Sequence, residues 1–302
     1  MRNIAFGYST RCNIRCSHCV AAGEELTTSK MERQEAKEAI NELAEAGITG
    51  ISFTAGEPTI YASDLLELLN LCKSHNIFTR VVTNSSWAKD TVSTLSQLKA
   101  LKSSGLSQLR LSYSRWHQEH VPQQNVLNAA QGAIACEINY FVSFVTDFSQ
   151  TDKKYEDYLR ENALKFFPEP LIYSGRAKDY LKEKLFTDYQ DNRCAMNLYL
   201  APDFNLYACC DAGNHFSKTN AFLLGNLQRD SATELFSKSD HNPLYNCIRN
   251  IGLSTIASYT GMPSREIITY RKCELCENLF NDPQTFTTVN NQAPFMLQNL
   301  SR

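Results

Sequence analysis

The stretch "STRCNIRCSHC", Ser9 to Cys19, sets Cys12, Cys16 and Cys19 in one short polar loop, directly after the apolar run that opens the chain. Three thiols at x3 and x2 spacing, with Arg15 among them, suit one cubane iron–sulfur cluster. Three irons take thiolates, and the fourth stays open for an outside ligand. A zinc site normally closes four ligands. His18 would complete a Cys3His set, but it adjoins Cys19 and would have to fold back onto the same metal. Three buried packing cysteines would be out of place in so polar a loop.

Composition narrows the field. A chain of 302 residues can bury a large core, as one domain or as a main domain with an appendix. At 43% hydrophobic residues it reads as a folded protein, and a net charge of −2 argues against an extended nucleic-acid surface. No apolar run reaches the length of a membrane span. The N-terminus lacks the sections of a signal peptide. The expectation is a cytoplasmic protein with no nucleic-acid or membrane partner, in a compartment where thiols stay reduced. Eleven cysteines there point to metal binding or thiol chemistry.

Strand-like and helix-like segments alternate in the first part of the chain. "NIAFGYS" (Asn3 to Ser9) is a short apolar run. From Ser29, the residues Ala36, Ala39, Ile40, Leu43 and Ala44 keep helical spacing, with Ser29 as the expected cap and Gly47 as the expected end. "ITGISFTAG", "IFTRVVTN", "QLRLSYS" and "INYFVSFVT" read as strands. Helices are expected at "ASDLLELLNLCKSHN", Thr91 to Ser103, Val126 to Cys136 and Lys154 to Phe166, the last leading to a sixth strand at "PLIYSG". Six β/α units imply an α/β fold with a parallel sheet, open or curled into a partial barrel, and chemistry on the loops after the strand C-termini. After about Gly175 the alternation stops. The expected division is 1–180 for the core and 181–302 for a smaller C-terminal unit.

A CxxxCxxC motif after the first strand, followed by "TAGEP" (Thr54 to Pro58) after the second, resembles the radical S-adenosylmethionine (radical SAM) superfamily over roughly residues 3 to 180. The resemblance implies a partial (β/α)6 TIM barrel with a small C-terminal iron–sulfur extension. It implies a [4Fe-4S] cluster on Cys12, Cys16 and Cys19, with SAM at the open iron. Ala55, Gly56, Glu57 and Pro58 stand where the family's GGEP motif contacts the methionine amino group. Ala55 replaces the first glycine, which leaves a backbone contact available. Asn84 and Ser112 fall where relatives hold the ribose and carboxylate of SAM. Arg176, in "SGRA" at the expected end of the sixth strand, is either a guanidinium clamp for the SAM carboxylate or a surface arginine. The family's SxDxxH pattern is altered, with Ser114 in place of the acid. His117 is either a pocket residue or a loop histidine bonded to backbone.

The C-terminal cysteines are Cys194, Cys209, Cys210, Cys273 and Cys276. Together they make a four-ligand site with one thiol left over, a zinc ribbon being the alternative. "LGNL" (Leu224 to Leu227) resembles the linker of the family's SPASM and twitch extensions, which carry auxiliary [4Fe-4S] clusters. That likeness implies one auxiliary cluster on Cys194, Cys209, Cys273 and Cys276. Cys72, Cys136 and Cys247 have no partners by sequence, and Cys72 and Cys136 are expected to pack as small hydrophobes.

The "CC" pair and the terminal "CxxCxxLFN" (Cys273 to Asn281) resemble radical SAM epimerases that convert L- to D-residues in ribosomally made peptides. That resemblance makes Cys209 a ligand and Cys210 the hydrogen donor, with the reverse assignment as the alternative. It implies an isomerase acting on a precursor peptide, with an electron donor such as a flavodoxin or ferredoxin. Because the first strand comes almost at once, the peptide is expected on the core fold or with a separate partner. The competing readings are a radical SAM maturase forming a crosslink or an oxidised side chain, a radical SAM enzyme acting on a small molecule, and a zinc-stabilised binding protein.

Overall fold

The computed structural model describes residues 2–21, 29–178, 193–267 and 271–300. The chain forms two compact units. One is Met1–Leu171 with Ala201–Asp203, and the other is Ile172–Leu200 with Phe204–Arg302.

The first unit runs β1 (Asn3–Gly7), α1 (Arg33–Glu45), β2 (Gly50–Thr54), α2 (Ala62–Ser74), β3 (Phe78–Thr83), α3 (Thr91–Ser103), β4 (Gln108–Tyr113), the single turn α4 (Arg115–Gln118), α5 (Gln123–Ala135), β5 (Asn139–Thr146), α6 (Gln150–Glu161) and β6 (Phe166–Pro170). The strands lie side by side in chain order, and every neighbouring pair is parallel. This is the expected α/β alternation of a partial (β/α)6 barrel.

Successive strand residues face opposite sides of a sheet. Ile4, Phe6, Ile51, Phe53, Val81, Leu109, Leu111, Val142 and Phe144 are fully buried on one side, where α2 packs against β3 and α5 against β4 and β5. The intervening residues, among them Ser52, Arg80, Val82, Arg110, Ser112 and Phe141, stay partly exposed. Each large apolar side chain buried under the helices contributes about 1.5–3 kcal/mol.

Several element boundaries differ from the sequence expectation. Ser29 does not cap α1. Its carbonyl accepts from the Thr10 N–H at 2.9 Å and from Ser9 Oγ at 2.8 Å, closing the base of the cysteine loop, and the helix starts four residues later at Arg33. α5 begins at Gln123, behind Pro122 as its N-cap, rather than at Val126. α6 ends at Glu161 instead of running to Phe166, because Ala163 takes the left-handed conformation at φ +52°. The sixth strand is therefore Phe166–Pro170 and not "PLIYSG". Its prolines, Pro168 and Pro170, lie on the sheet's outermost parallel strand, where a missing N–H can be tolerated.

The second unit holds the antiparallel strands β7 (Leu198–Leu200), β8 (Asn205–Tyr207) and β9 (Leu223–Asn226). The helices α7 (Ala232–His241), α8 (Pro243–Asn250), α9 (Leu253–Tyr259), α10 (Ser264–Ile267), α11 (Lys272–Phe280) and α12 (Pro283–Leu300) follow. "LGNL" is thus mostly a strand rather than a linker. The core centres on Phe222, whose ring lies 5.5–5.7 Å from those of Phe216, Tyr245 and Phe280. Among the described residues no helix is long and apolar enough to cross a membrane.

The two sheet faces should respond differently to substitution. Leu109→Ala, under the helices, is expected to cost about 2–5 kcal/mol, whereas Ser52→Ala on the open face should change stability by no more than about 0.5 kcal/mol. Urea unfolding of the two variants checks this.

Candidate functional site

The C-terminal ends of β1, β2 and β3 meet around Glu57. Its carboxylate is 2% exposed. Oε1 accepts from the Thr59 hydroxyl at 2.6 Å, the Thr59 N–H at 3.3 Å and the Thr83 hydroxyl at 2.8 Å, while Oε2 accepts from the Asn84 N–H at 2.7 Å. Burial raises the Glu57 pKa against the pull of these donors. Thr83 is itself a hub, accepting from Trp87 Nε1 at 2.9 Å and the Ser85 N–H at 3.1 Å.

The cysteine loop sits on the same point. The Glu57 N–H donates to the Arg11 carbonyl at 2.8 Å. Gly56, at φ +55°, lies so close that a Cβ there would come within 2.1 Å of the Arg11 carbonyl oxygen and 2.8 Å of that of Ser9. Ala55 is also left-handed, at φ +64°. That backbone explains why the resembled family places glycine at this position, and it makes alanine here a strained occupant.

Asn84 closes β3 and reaches into the loop. Its Nδ2 donates to Asn13 Oδ1 at 2.9 Å and lies 3.8 Å from Cys12 Sγ, and Asn13 Nδ2 donates to Ser86 Oγ at 2.6 Å. His18 stacks on Trp116 at 4.8 Å and meets the His117 ring edge-on at 4.6 Å. Ser114 caps α4, accepting from the His117 N–H at 3.2 Å, with its hydroxyl 2.7 Å from His117 Nδ1. His117 is thus bonded to its own turn. Burial, with a smaller push from His120, lowers its pKa to about 4. Ser112, one residue before the end of β4, stands in register with Ser143 on the open face.

Arg176 does not close a strand. It lies in a 3₁₀ turn (Gly175–Ala177) of the second unit, and its Nε is buried without a hydrogen-bond partner. The expectation that placed it at the end of the sixth strand fails because that strand ends at Pro170.

In the second unit Cys209 and Cys210 follow β8, Cys273 and Cys276 lie one turn apart on α11, and Cys194 precedes β7. Cys209 is raised to about 12 by burial, with Asp211 and Cys194 adding to the shift. Burial also raises Cys273 and Cys276, and both feel the charge of Cys194 and Cys209. Cys210 is raised by burial, Asp211, Cys209 and Cys194. Five half-buried thiols therefore share one electrostatic neighbourhood.

Cys72 and Cys136 are buried, and Cys247 Sγ donates to the Ala293 carbonyl at 3.3 Å.

The donor chemistry fits iron–sulfur groups. In the loop, Cys12 is raised by burial and by the charges of Glu57 and Cys19, so its thiolate lacks a compensating cation that a cluster would supply. In the second set, Cys209 and Cys276 are raised in the same way, by burial and by negative neighbours. Among the described residues no three His, Cys, Asp or Glu side chains converge closely enough to close on a single ion, and a cluster of several irons spreads its ligands more widely.

Residues 7–129 match the family model described as the radical SAM superfamily. This part of the chain is a radical SAM domain. The family implies SAM and a [4Fe-4S] cluster. Over 223 residues the chain is 22% identical to YydG of Bacillus subtilis, described as a peptide biosynthesis protein, covering 69% of each. It is 30% identical over 109 residues to the PqqA peptide cyclase of Bradyrhizobium diazoefficiens, covering 34% of this chain and 26% of the cyclase. The solved anSMEcpe with bound AdoMet and Cp18Cys peptide superposes with a TM-score of 0.58 at 15% identity, over 97% of this chain and 99% of that one. BtrN in complex with AdoMet and 2-DOIA gives 0.52 at 13% identity, over 84% and 88%. Both structures share the fold of this chain.

The residues that hold the loop went unread in the sequence. Arg11 acts through its carbonyl, which leaves no side-chain signature. Asn13, Thr83 and Ser86 are small polar residues whose partners lie far off in the sequence, and Thr59 binds Glu57 two residues back.

Two predictions follow from the site. Gly56→Ala should destabilise the apoprotein by about 2 kcal/mol or more, and Ala55→Gly should stabilise it by about 1 kcal/mol, read as shifts in the denaturant midpoint. His117 stays neutral in the fold while its unfolded form titrates near 6.5, so its contribution is complete above that pH and lost as pH falls toward about 4. The loss should reach about 3 kcal/mol, and His117→Asn should flatten that part of the stability profile.

Proposed function

We propose that the chain modifies a ribosomally made peptide, epimerising an L-residue to its D-form. The relative YydG, described as a peptide biosynthesis protein, supports peptide work. The observation that carries the epimerase reading is the contrast between the adjacent cysteines. Cys209 Sγ accepts the Asp211 N–H at 3.4 Å and a second backbone N–H from Gly213, the cradle of a thiolate ligand. Cys210 Sγ instead donates toward Asp211 Oδ2 at 3.6 Å, as a thiol that keeps its hydrogen.

In this reading Cys12, Cys16 and Cys19 hold the cluster that binds SAM, and Cys194, Cys209, Cys273 and Cys276 hold an auxiliary [4Fe-4S] cluster. The cluster with SAM supplies one-electron chemistry able to remove a hydrogen atom from carbon. The Gly56–Glu57 backbone seats the cysteine loop. Ala55, Gly56, Glu57, Pro58, Asn84 and Ser112 would hold SAM. Cys210 breaks its S–H bond and forms a new C–H bond on the face opposite the one that lost hydrogen. The sulfur radical left behind regains one electron, from a flavodoxin- or ferredoxin-class donor, and one proton from solvent.

The PqqA cyclase likeness favours a second reading, a crosslinking maturase in which Cys210 is structural. The test is anaerobic incubation with SAM, a reductant and any short peptide encoded beside the gene, run in deuterated water. Epimerisation predicts one deuterium at one carbon, otherwise unchanged composition, and a D-residue on chiral analysis. Cys210→Ala should still cleave SAM yet yield no D-residue. Loss of hydrogen from the product, with no solvent deuterium, establishes the crosslinking reading instead.

A further inference from the structure

The open face of the parallel sheet carries a cationic and aromatic patch. Arg80 on β3 and Arg110 on β4 share that face with Phe78, Phe141 and Phe167, by strand alternation and register. Both guanidinium carbons lie over the Phe141 ring, at 5.5 and 5.8 Å from its centroid. Phe167 meets Phe141 edge-on at 5.6 Å. Phe78 and Phe167 are 46% and 61% exposed, so the patch is open.

The charges do not balance. Arg110 pairs with Glu169 and donates to Ser143 Oγ at 2.9 Å, yet its Nε is buried without a hydrogen-bond partner. Arg80 spends its Nε on Gln108 Oε1 at 2.7 Å, and among the described residues no carboxylate lies within ion-pair distance of it. Burial and the neighbouring Arg110 both depress the Arg80 pKa, with Glu169 opposing. Two guanidinium groups against one carboxylate leave an excess positive charge on a half-buried surface. Planar guanidinium groups match a carboxylate in geometry, and the flanking phenyl rings suit apolar neighbours of that carboxylate.

We infer that Arg80 and Arg110 bind the side-chain carboxylate of an acidic residue in the peptide substrate. The assignment rests on the peptide reading above and names a feature of the substrate. Arg110 lies three residues before the end of β4, about 10 Å along the strand, and an extended peptide covers that distance in about three residues. The acid should therefore stand about three residues from the one that reacts.

A library of random dodecapeptides displayed on mRNA, panned anaerobically on the cluster-loaded chain with SAM, tests this. Wild-type protein should enrich Asp or Glu at one position by about tenfold or more over the input. Arg80→Gln and Arg110→Gln should lose that enrichment, and Arg80→Lys, which keeps the charge, should retain part of it. Glu169→Gln removes the competing carboxylate and should raise the enrichment, an increase that a merely structural ion pair would not produce; this arm holds even if an arginine variant does not fold. Recovery of peptides without acidic enrichment, or equal enrichment on wild-type and arginine variants, overturns the assignment and leaves the peptide reading standing. Recovery of no peptide at all overturns both.

Discussion

Glu57 places a carboxylate where water cannot reach it, and four donors from two strand ends converge on its oxygens. A buried carboxylate is costly unless so satisfied, and hydrogen bonds to a charged group contribute about 1.5–3 kcal/mol each. Its raised pKa shows that burial still outweighs the donors. The residue is therefore held in place by what surrounds it, and it holds those surroundings in turn. Its N–H fixes the Arg11 carbonyl, Thr83 and Asn84 are drawn to its side chain, and Asn84 reaches Asn13 and the Cys12 sulfur. Three strand ends and the cysteine loop share this one anchor.

The parallel sheet gives the anchor its leverage. All six strands point the same way, so their C-terminal ends collect on one side. The helices cover one sheet face with fully buried aliphatic and aromatic side chains. The other face carries small residues toward the strand ends, Val82 and Ser112, and the arginines further down. The covered face forms the core, and the open face carries the polar and cationic side chains. The second unit contributes a different device, five cysteines gathered from a strand exit, a helix turn and the segment before β7.

Much of this was legible in the sequence, and the exceptions have physical causes. α3 was read to its boundaries, Thr91 and Ser103, and its cap, Asp90, accepts from the Ser93 N–H at 2.9 Å. The cysteine motif and "TAGEP" carried the resemblance to the family. β6 was misplaced because "FFPEP" carries two prolines, which count against a strand until the strand proves to lie at the parallel sheet's edge. Ser29 looked like a cap, but its carbonyl serves the loop. Ala55 looked like a mild departure, and only the backbone shows that its site prefers glycine. The arginines on β3 and β4 gave no signal, since what singles them out is the strand register that brings both over one phenyl ring.

The central claim is that the Glu57 anchor seats the cysteine loop so that a cluster there can take SAM. Electron paramagnetic resonance of the reduced, cluster-loaded chain tests it, with and without SAM, in the wild type and in Glu57→Gln. That substitution keeps size and shape but removes the charge and one acceptor. The account predicts a wild-type spectrum that changes on adding SAM and a variant that retains an iron–sulfur signal but responds weakly or not at all. A variant whose spectrum responds to SAM as the wild type does would contradict it.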